Sequence, residues 1–333
     1  MFKATLRKSQ GRGALMLASS ATVWAMAVPA AIAQTWPDKP IRIIVPYPAG
    51  GATDLASRSF AKSMGKRLNN PFVIDNKGGA AGSIGMEAAA TSAPDGYSFI
   101  VGTASTFAVN PHLYKQIRYD AEKSFTPICM MASAPVVMFA NASLPASSLA
   151  EVVEWSKKNP GKLNYATDGT ASIPHMGGER LKQLTGLDMT HVPYKGSASA
   201  TQAVVAGDTQ LAITGVANAI DFVRTGRLKI IGIAGVRRLI LFPSAPTLIE
   251  QGVKGFDLGS WFAMFGPAKL DTRVVEVMGK ACREAAAEPE IRDNLNALAL
   301  EVLTSTPEQL RDQLTSDLKR WGDIVTNSGV RIE

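Results

Sequence analysis

Apolar residues follow two rhythms along this chain. At 41–45, Ile-Arg-Ile-Ile-Val is almost continuous, the pattern of a strand covered on both faces. From Thr53 the period changes. Ser57, Phe60, Ala61, Met64 and Leu68 fall on one helical stripe, and Arg58, Lys62 and Lys66 take the opposite face. Thr53 or Asp54 is the candidate cap. The alternation continues with a strand at 71–75, a helix over 82–93 stopped by Pro94, and a strand at 97–103 after an Asp95-Gly96 turn. A second series begins near 135. It has an extended stretch at 135–143, a capped helix at 147–161, and strands at 163–167, 189–194, 209–214 and 228–235 with helix-like segments between them. An extended segment at 260–268 and amphipathic helices over 272–288 and 307–325 follow. Strands alternating with helices predict an α/β fold with parallel sheets and crossover helices. Two such units without a repeat or flexible linker predict two lobes joined by strands. Ligands of such sheets sit at the carboxyl ends of strands, which between two lobes becomes a cleft that closes by hinge motion.

The N-terminus stands apart from this pattern. Lys3, Arg7, Lys8 and Arg12 precede an apolar or small-residue stretch at 13–30, then Ala31-Ile32-Ala33. That order predicts a signal peptide over 1–33, cleaved near Ala33, and an exported protein. The alternative, a membrane anchor, fits less well because Ser and Thr dilute a stretch already short of the roughly 20 apolar residues a span needs. The leader also changes the charge balance. Of 35 basic and 28 acidic residues, four basic and no acidic ones lie in it, so the formal +7 falls to +3. No basic cluster with interleaved aromatics remains to suggest nucleic acid. Cys129 and Cys282 are the two cysteines. Neither has a CxxC or CxxH neighbour, and two buried free thiols are expected, with a bridge as the alternative.

Candidate chemistry is sparse. No G-x-S-x-G elbow occurs. His112, His175 and His191 are scattered, and His175 with Glu179 is expected to be a surface or capping pair, not a metal site. "GGAAGSIG" (78–85) fails as a dinucleotide fingerprint and is expected to be a tight turn with close helix packing. Trp261, Phe262 and Phe107 are expected in the core. No cofactor or metal is expected. What remains is a set of loops rich in Gly, Ser and Thr, each following a strand: "YPAGGATD" (47–54), "GTASTF" (102–107), "ATDGTASIPH" (166–175) and "YKGSASA" (194–200). Such loops bind anions through backbone N–H groups, hydroxyls and helix dipoles without formal cations. Charge-assisted hydrogen bonds contribute about 1.5–3 kcal/mol each, and micromolar affinity needs about 8 kcal/mol net, so several would hold one small carboxylate.

These segments resemble a known family. "WPDKPIRIIVPYPAGGATD" (36–54) and "VIDNKGGAAGSIGMEAAATSAPDGYSFIVGT" (73–103) are similar to the opening of Bug proteins, the substrate-binding proteins of tripartite tricarboxylate transporters. "NPGKLNYATDGTASIPHMGGE" (159–179), "HVPYKGSASA" (191–200) and "FPSAPTLIEQGVKGFDLGSWFAMFGPA" (242–268) extend the resemblance over the rest of the chain. It implies a two-lobed periplasmic-binding-protein fold with a Venus-flytrap motion, lobe one comprising 34–135 and 261–333 and lobe two 136–260. It also implies a periplasmic monomer that captures a small organic carboxylate and delivers it to membrane permease subunits. Tyr47 would wall the site, Ala49, Gly50 and Gly51 would donate amides, and Thr103, Ser105 and Thr106 would add hydroxyls. Thr170, Ala171 and Ser172 would approach from lobe two with His175 behind them, and Tyr194 and Lys195 would sit at the cleft edge. Many members carry an acidic residue where this chain has Thr214-Gly215, which implies a less cationic or more apolar ligand. A secreted enzyme built on His175 with Asp168 or Glu179, and a ligand sensor for a membrane signalling partner, are the alternatives.

Overall fold

The computed structural model describes residues 36–170 and 172–328. The expected signal peptide and Ala171 lie outside the described residues. From Pro37 onward the chain forms one compact unit.

The first series of alternating segments becomes β1 (Ile41–Val45), α1 (Ala52–Leu68), β2 (Phe72–Asn76), α2 (Ser83–Ala90), β3 (Ser98–Thr103), α3 (Asn110–Leu113) and β4 (Phe125–Ala134). The second becomes β5 (Val136–Asn141), α4 (Leu149–Lys158), β6 (Asn164–Thr167), α5 (Ile173–Thr185), β7 (Thr190–Pro193), α6 (Ser197–Ala206), β8 (Leu211–Gly215), α7 (Ile220–Arg224) and β9 (Leu228–Ile233). The chain closes with β10 (Ser260–Pro267), α8 (Thr272–Ala286), α9 (Pro289–Ala297), β11 (Glu301–Val302) and α10 (Pro307–Ser328).

Two sheets result, one in the order β11-β4-β10-β3-β1-β2 and one in the order β7-β6-β8-β5-β9. The expectation of parallel sheets holds only in part. β1 lies parallel to β2 and β3, and β6 parallel to β7 and β8. β10 and β5, however, run antiparallel to both of their neighbours. The cause is the connectivity. Each of these strands enters its sheet from the other one, at the edge where the parallel strands end, and must run the opposite way.

Register fixes that edge. Ser260 pairs with Ala134 and Phe262 with Thr103. In the second sheet Val136 pairs with Gly215 and Val137 with Ile233. Only Pro135 separates β4 from β5, so the carboxyl edges of the parallel strands in both sheets meet at the crossing. β3, β1 and β2 continue the first sheet beyond β10, and β8, β6 and β7 continue the second beyond β5.

Phe107 stacks on Phe265 at 4.0 Å, and Phe125, Tyr119 and Trp261 surround this pair. Trp261, Phe262 and Phe107 are buried, as their apolar surface requires. Trp261 Nε1 donates to Asp317 Oδ2 at 2.7 Å, giving the buried indole its acceptor. Cys129 on β4 and Cys282 on α8 are joined as a disulfide, with Cα atoms 6.6 Å apart. This corrects the expected free thiols. α8 packs along β4, a contact between positions 153 residues apart that no sequence spacing discloses.

Candidate functional site

The loop between β1 and α1 is shaped from inside. Gly50 has φ +83°, a conformation that favours glycine, and its N–H donates to Asp54 Oδ2 at 2.9 Å. Gly51 is the N-cap of α1 and makes no side-chain cap. Asp54 therefore caps by reaching back to the turn, where a cap on the first helical N–H groups was expected. Arg58 Nε and Asn76 Nδ2 each donate to the same carboxylate at 3.0 Å, and Asn76 also donates to the Tyr47 carbonyl at 3.1 Å. Burial alone would push the Asp54 carboxyl up, but the hydrogen bonds from Arg58, the Gly50 N–H and Asn76 outweigh it and hold the group below its usual range.

The consequence is a division of labour among the three predicted amide donors. The Gly50 N–H is already spent. Ala49, Gly51 and Ala52 are exposed, and among the described residues their N–H groups have no protein acceptor, as geometry dictates at the start of a helix. In the same loop, the Tyr47 hydroxyl lies 2.7 Å from Thr103 Oγ1. Burial pushes the Tyr47 phenol up to about 12, with the Asp168 charge adding to the rise, so it stays a neutral hydrogen-bonding group. Thr106 is buried and its hydroxyl both donates to the Thr103 carbonyl and accepts from the Thr103 N–H. It shapes the turn from beneath, whereas Ser105 is half-exposed above it. The expected close packing of 78–85 is present. A Cβ at Gly85 would meet the Lys77 carbonyl at 2.7 Å and Pro46 Cα at 2.8 Å.

On the second sheet, two predicted loops are fastened to each other. The Tyr194 N–H donates to the Thr167 carbonyl at 3.0 Å, and the Gly196 N–H to the Asp168 carbonyl at 3.2 Å. Ser172 caps α5: its hydroxyl accepts from the His175 N–H and donates to the Gly169 carbonyl at 2.9 Å. Thr170 and Lys195 are exposed, and Tyr194 is half-buried against the apolar cluster under α6. Asp168 is half-buried. Burial pushes its carboxyl up, with the Ser172 hydroxyl pulling the other way.

His175 and Glu179 are not the surface or capping pair that their spacing predicted. His175 is buried and stacks on His191, ring centroids 3.7 Å apart and planes 9° apart. His191 Nε2 lies 2.7 Å from Thr167 Oγ1. Glu179 accepts from Tyr165 Oη at 2.8 Å and pairs with Lys182 at 3.0 Å. Burial pushes both imidazoles down, His191 to about 4 with His175 adding to the effect. Two neutral, stacked rings beside a carboxylate already engaged by Tyr165 and Lys182 form a structural cluster behind the 168–172 loop. Sequence reasoning missed His191 because its partner lies on another element.

A separate cavity of about 350 Å³ lies at the crossing, lined by residues including Ser133, Pro135, Val236, Trp261 and Leu303. Arg237 spans it to Glu301 at 2.6 Å. None of its lining comes from the Gly-rich loops. Among the described residues no group of His, Cys, Asp and Glu could hold a metal ion, and no helix is long and apolar enough to cross a membrane.

Known proteins share this arrangement. The sequence profile of the TctC family, described as the tripartite tricarboxylate transporter family receptor, matches residues 56–330. Protein BugT of Bordetella pertussis is 30% identical over 302 residues, covering 90% of this chain and 93% of its own. Among solved structures, MatC of Rhodopseudomonas palustris with bound malate is 30% identical with a TM-score of 0.73, covering 87% of this chain and 99% of its own. Another protein of that organism, solved with adipate, is 27% identical with a TM-score of 0.78, covering 89% and 99%. The fold is the two-lobed one of periplasmic binding protein BugD, a solved structure 31% identical with a TM-score of 0.75 that covers 90% of this chain and 100% of its own, and this chain belongs to the TctC family of tripartite tricarboxylate transporter receptors.

Proposed function

We propose that this receptor captures a small organic carboxylate between its two sheets and delivers it to the membrane permease subunits of a tripartite transporter. The observation that carries this is the start of α1. The amides of Gly51 and Ala52 are exposed at a helix N-terminus, without protein acceptors among the described residues, in the same loop as Tyr47, whose neutral hydroxyl bonds Thr103. Such a site attracts a single negative charge and releases it again. Relatives solved with malate and with adipate support the same class of ligand.

In this account lobe one comprises 34–135 and 261–333 and lobe two 136–260. Tyr47, Ala49, Gly51 and Ser105 face the ligand from lobe one, with Gly50, Thr103 and Thr106 setting the loop's shape. Thr170, Tyr194 and Lys195 approach from lobe two, where Ser172 and His175 brace the loop. The protein binds without turnover, is exported to the periplasm after cleavage near Ala33, and acts as a monomer.

A thermal-shift series on ligand-stripped protein tests this. A cognate carboxylate at 100 times its dissociation constant adds about 2.7 kcal/mol of stability and raises the midpoint saturably, with no product formed. A flat response across mono-, di- and tricarboxylates would sink the proposal.

A further inference from the structure

The cavity at the crossing draws none of its lining from the Gly-rich loops, yet both sheets build it. Met130 and Ser133 on β4, Trp261 on β10 and Glu301 on β11 come from the first sheet, and Ile233 at the end of β9 comes from the second. β11 and β9 are edge strands of their sheets, whereas the Gly-rich loops follow β1, β3, β6 and β7. The volume of about 350 Å³ falls within the range of about 300–1,000 Å³ typical of small-molecule pockets, which favour such junctions between structural units.

The lining's chemistry specifies an occupant. Each of its charged side chains already has a partner. Arg237 Nη2 lies 2.6 Å from Glu301 Oε2, and Asp257 Oδ2 lies 3.5 Å from Arg320 Nη1. An ion entering the cavity would have to compete with these pairs or stay unpaired, so the lining selects against net charge. Ile233, Leu239, Trp261 and Leu303 supply apolar wall, and apolar cavities take apolar molecules. Three polar side chains of the lining, Ser133, Ser260 and Gln313, have no protein hydrogen-bond partner among the described residues. Hydroxyl and amide groups both donate and accept. Together these features fit an uncharged apolar body with one hydrogen-bonding group, and the Trp261 indole suits an aromatic ring.

We propose that this cavity is a second ligand site, for an uncharged aromatic molecule of one or two rings that carries a hydrogen-bonding group. The site is independent of the carboxylate reading. Because both sheets supply its walls, an occupant favours the placement of the sheets in which those walls stand together, by as much as it binds that placement more tightly than others.

The test is calorimetric titration of purified, ligand-stripped protein with indole, which has an apolar ring system and one N–H donor. Indole is expected to bind saturably, one molecule per chain, with a dissociation constant below about 1 mM. Two cavity-filling variants locate it. Gly235 lines the cavity without a positive φ, and a Cβ there would meet only Ile233 Cγ2, at 3.8 Å, so Gly235→Leu is compatible with the backbone. Ser133→Leu gives up no side-chain hydrogen bond to the protein. Each substitution should weaken indole at least about fivefold by occupying its space. Thermal melting identifies a variant that has not folded, and the other then carries the test. Absence of saturable binding below about 1 mM, or unchanged indole affinity in a folded variant, would overturn the site, and neither result bears on the carboxylate reading.

Discussion

The Gly50 N–H donates to Asp54 Oδ2 at 2.9 Å, so the first loop of the site is held by a carboxylate of its own protein before any ligand arrives. Asp54 is 1% exposed and is also bonded by Arg58 and Asn76. Asp54→Ala removes all three acceptor interactions at once. It should lower stability by about 1–3 kcal/mol, read as a shift in urea midpoint. Because the folded carboxyl is held below its usual value, this contribution is complete above the unfolded pKa and fades as pH falls through the folded one. The difference between wild type and variant should therefore shrink in strong acid, and a difference independent of pH would exclude a charged Asp54 as the loop's anchor.

Gly51 offers a cleaner probe of ligand approach than Gly50. A Cβ at Gly51 would find only the Pro48 carbonyl, at 3.6 Å, and the residue has ordinary extended torsions, whereas Gly50 needs positive φ. Gly51→Val is expected to melt near the wild-type temperature while binding its carboxylate at least about tenfold more weakly, equivalent to about 1.4 kcal/mol. Unchanged affinity in calorimetry would exclude close backbone approach at this position.

The disulfide between Cys129 and Cys282 closes a loop of 153 residues that contains all of the second sheet. Loop-entropy arguments credit a closure of this length with about 5 kcal/mol, and measured bridges commonly give about 2–4. Paired Cys129→Ala and Cys282→Ala substitutions should lower the unfolding midpoint clearly. Ligand affinity should change little, since both residues are buried and neither belongs to the loops. Ellman titration of the native and unfolded protein should find no free thiol.

His191 gives stability a sign that can be checked. Its pKa falls from 6.5 to about 4 in the folded state, so between those values the unfolded chain binds more protons. Stability from this group is complete above pH 6.5 and is lost as pH falls toward 4. His175 shifts in the same direction. His191→Gln keeps a polar partner for Thr167 and should flatten the urea midpoint between these limits. A profile as steep as that of the wild type would assign the acid sensitivity to other groups.

Much of the architecture was legible along the chain, because local periodicity and glycine placement encode it. The continuous apolar run 41–45 gave β1, and the stripe from Ser57 to Leu68 gave α1. The loops rich in Gly, Ser and Thr were likewise visible, since each follows a strand. What escaped was set by contacts between elements. The direction of β10 depends on a chain that has crossed to the other sheet and back. The stacking of His175 on His191 and the bridging of Cys129 to Cys282 join residues on separate elements. Asp54 was visible as a helix cap, yet its acceptor role toward Gly50 depends on the φ of that glycine.

One carboxylate gripped between the loop before α1 and the loop after β6 is what the proposed function requires. Native mass spectrometry of the purified protein, followed by calorimetric titration of the stripped protein with the acid identified, tests it most directly. A single carboxylic acid should be retained per chain, rebinding with one-to-one stoichiometry and weakened by Gly51→Val. A protein that carries no acid and takes up none, or that binds its acid equally well with Gly51 replaced, would contradict it.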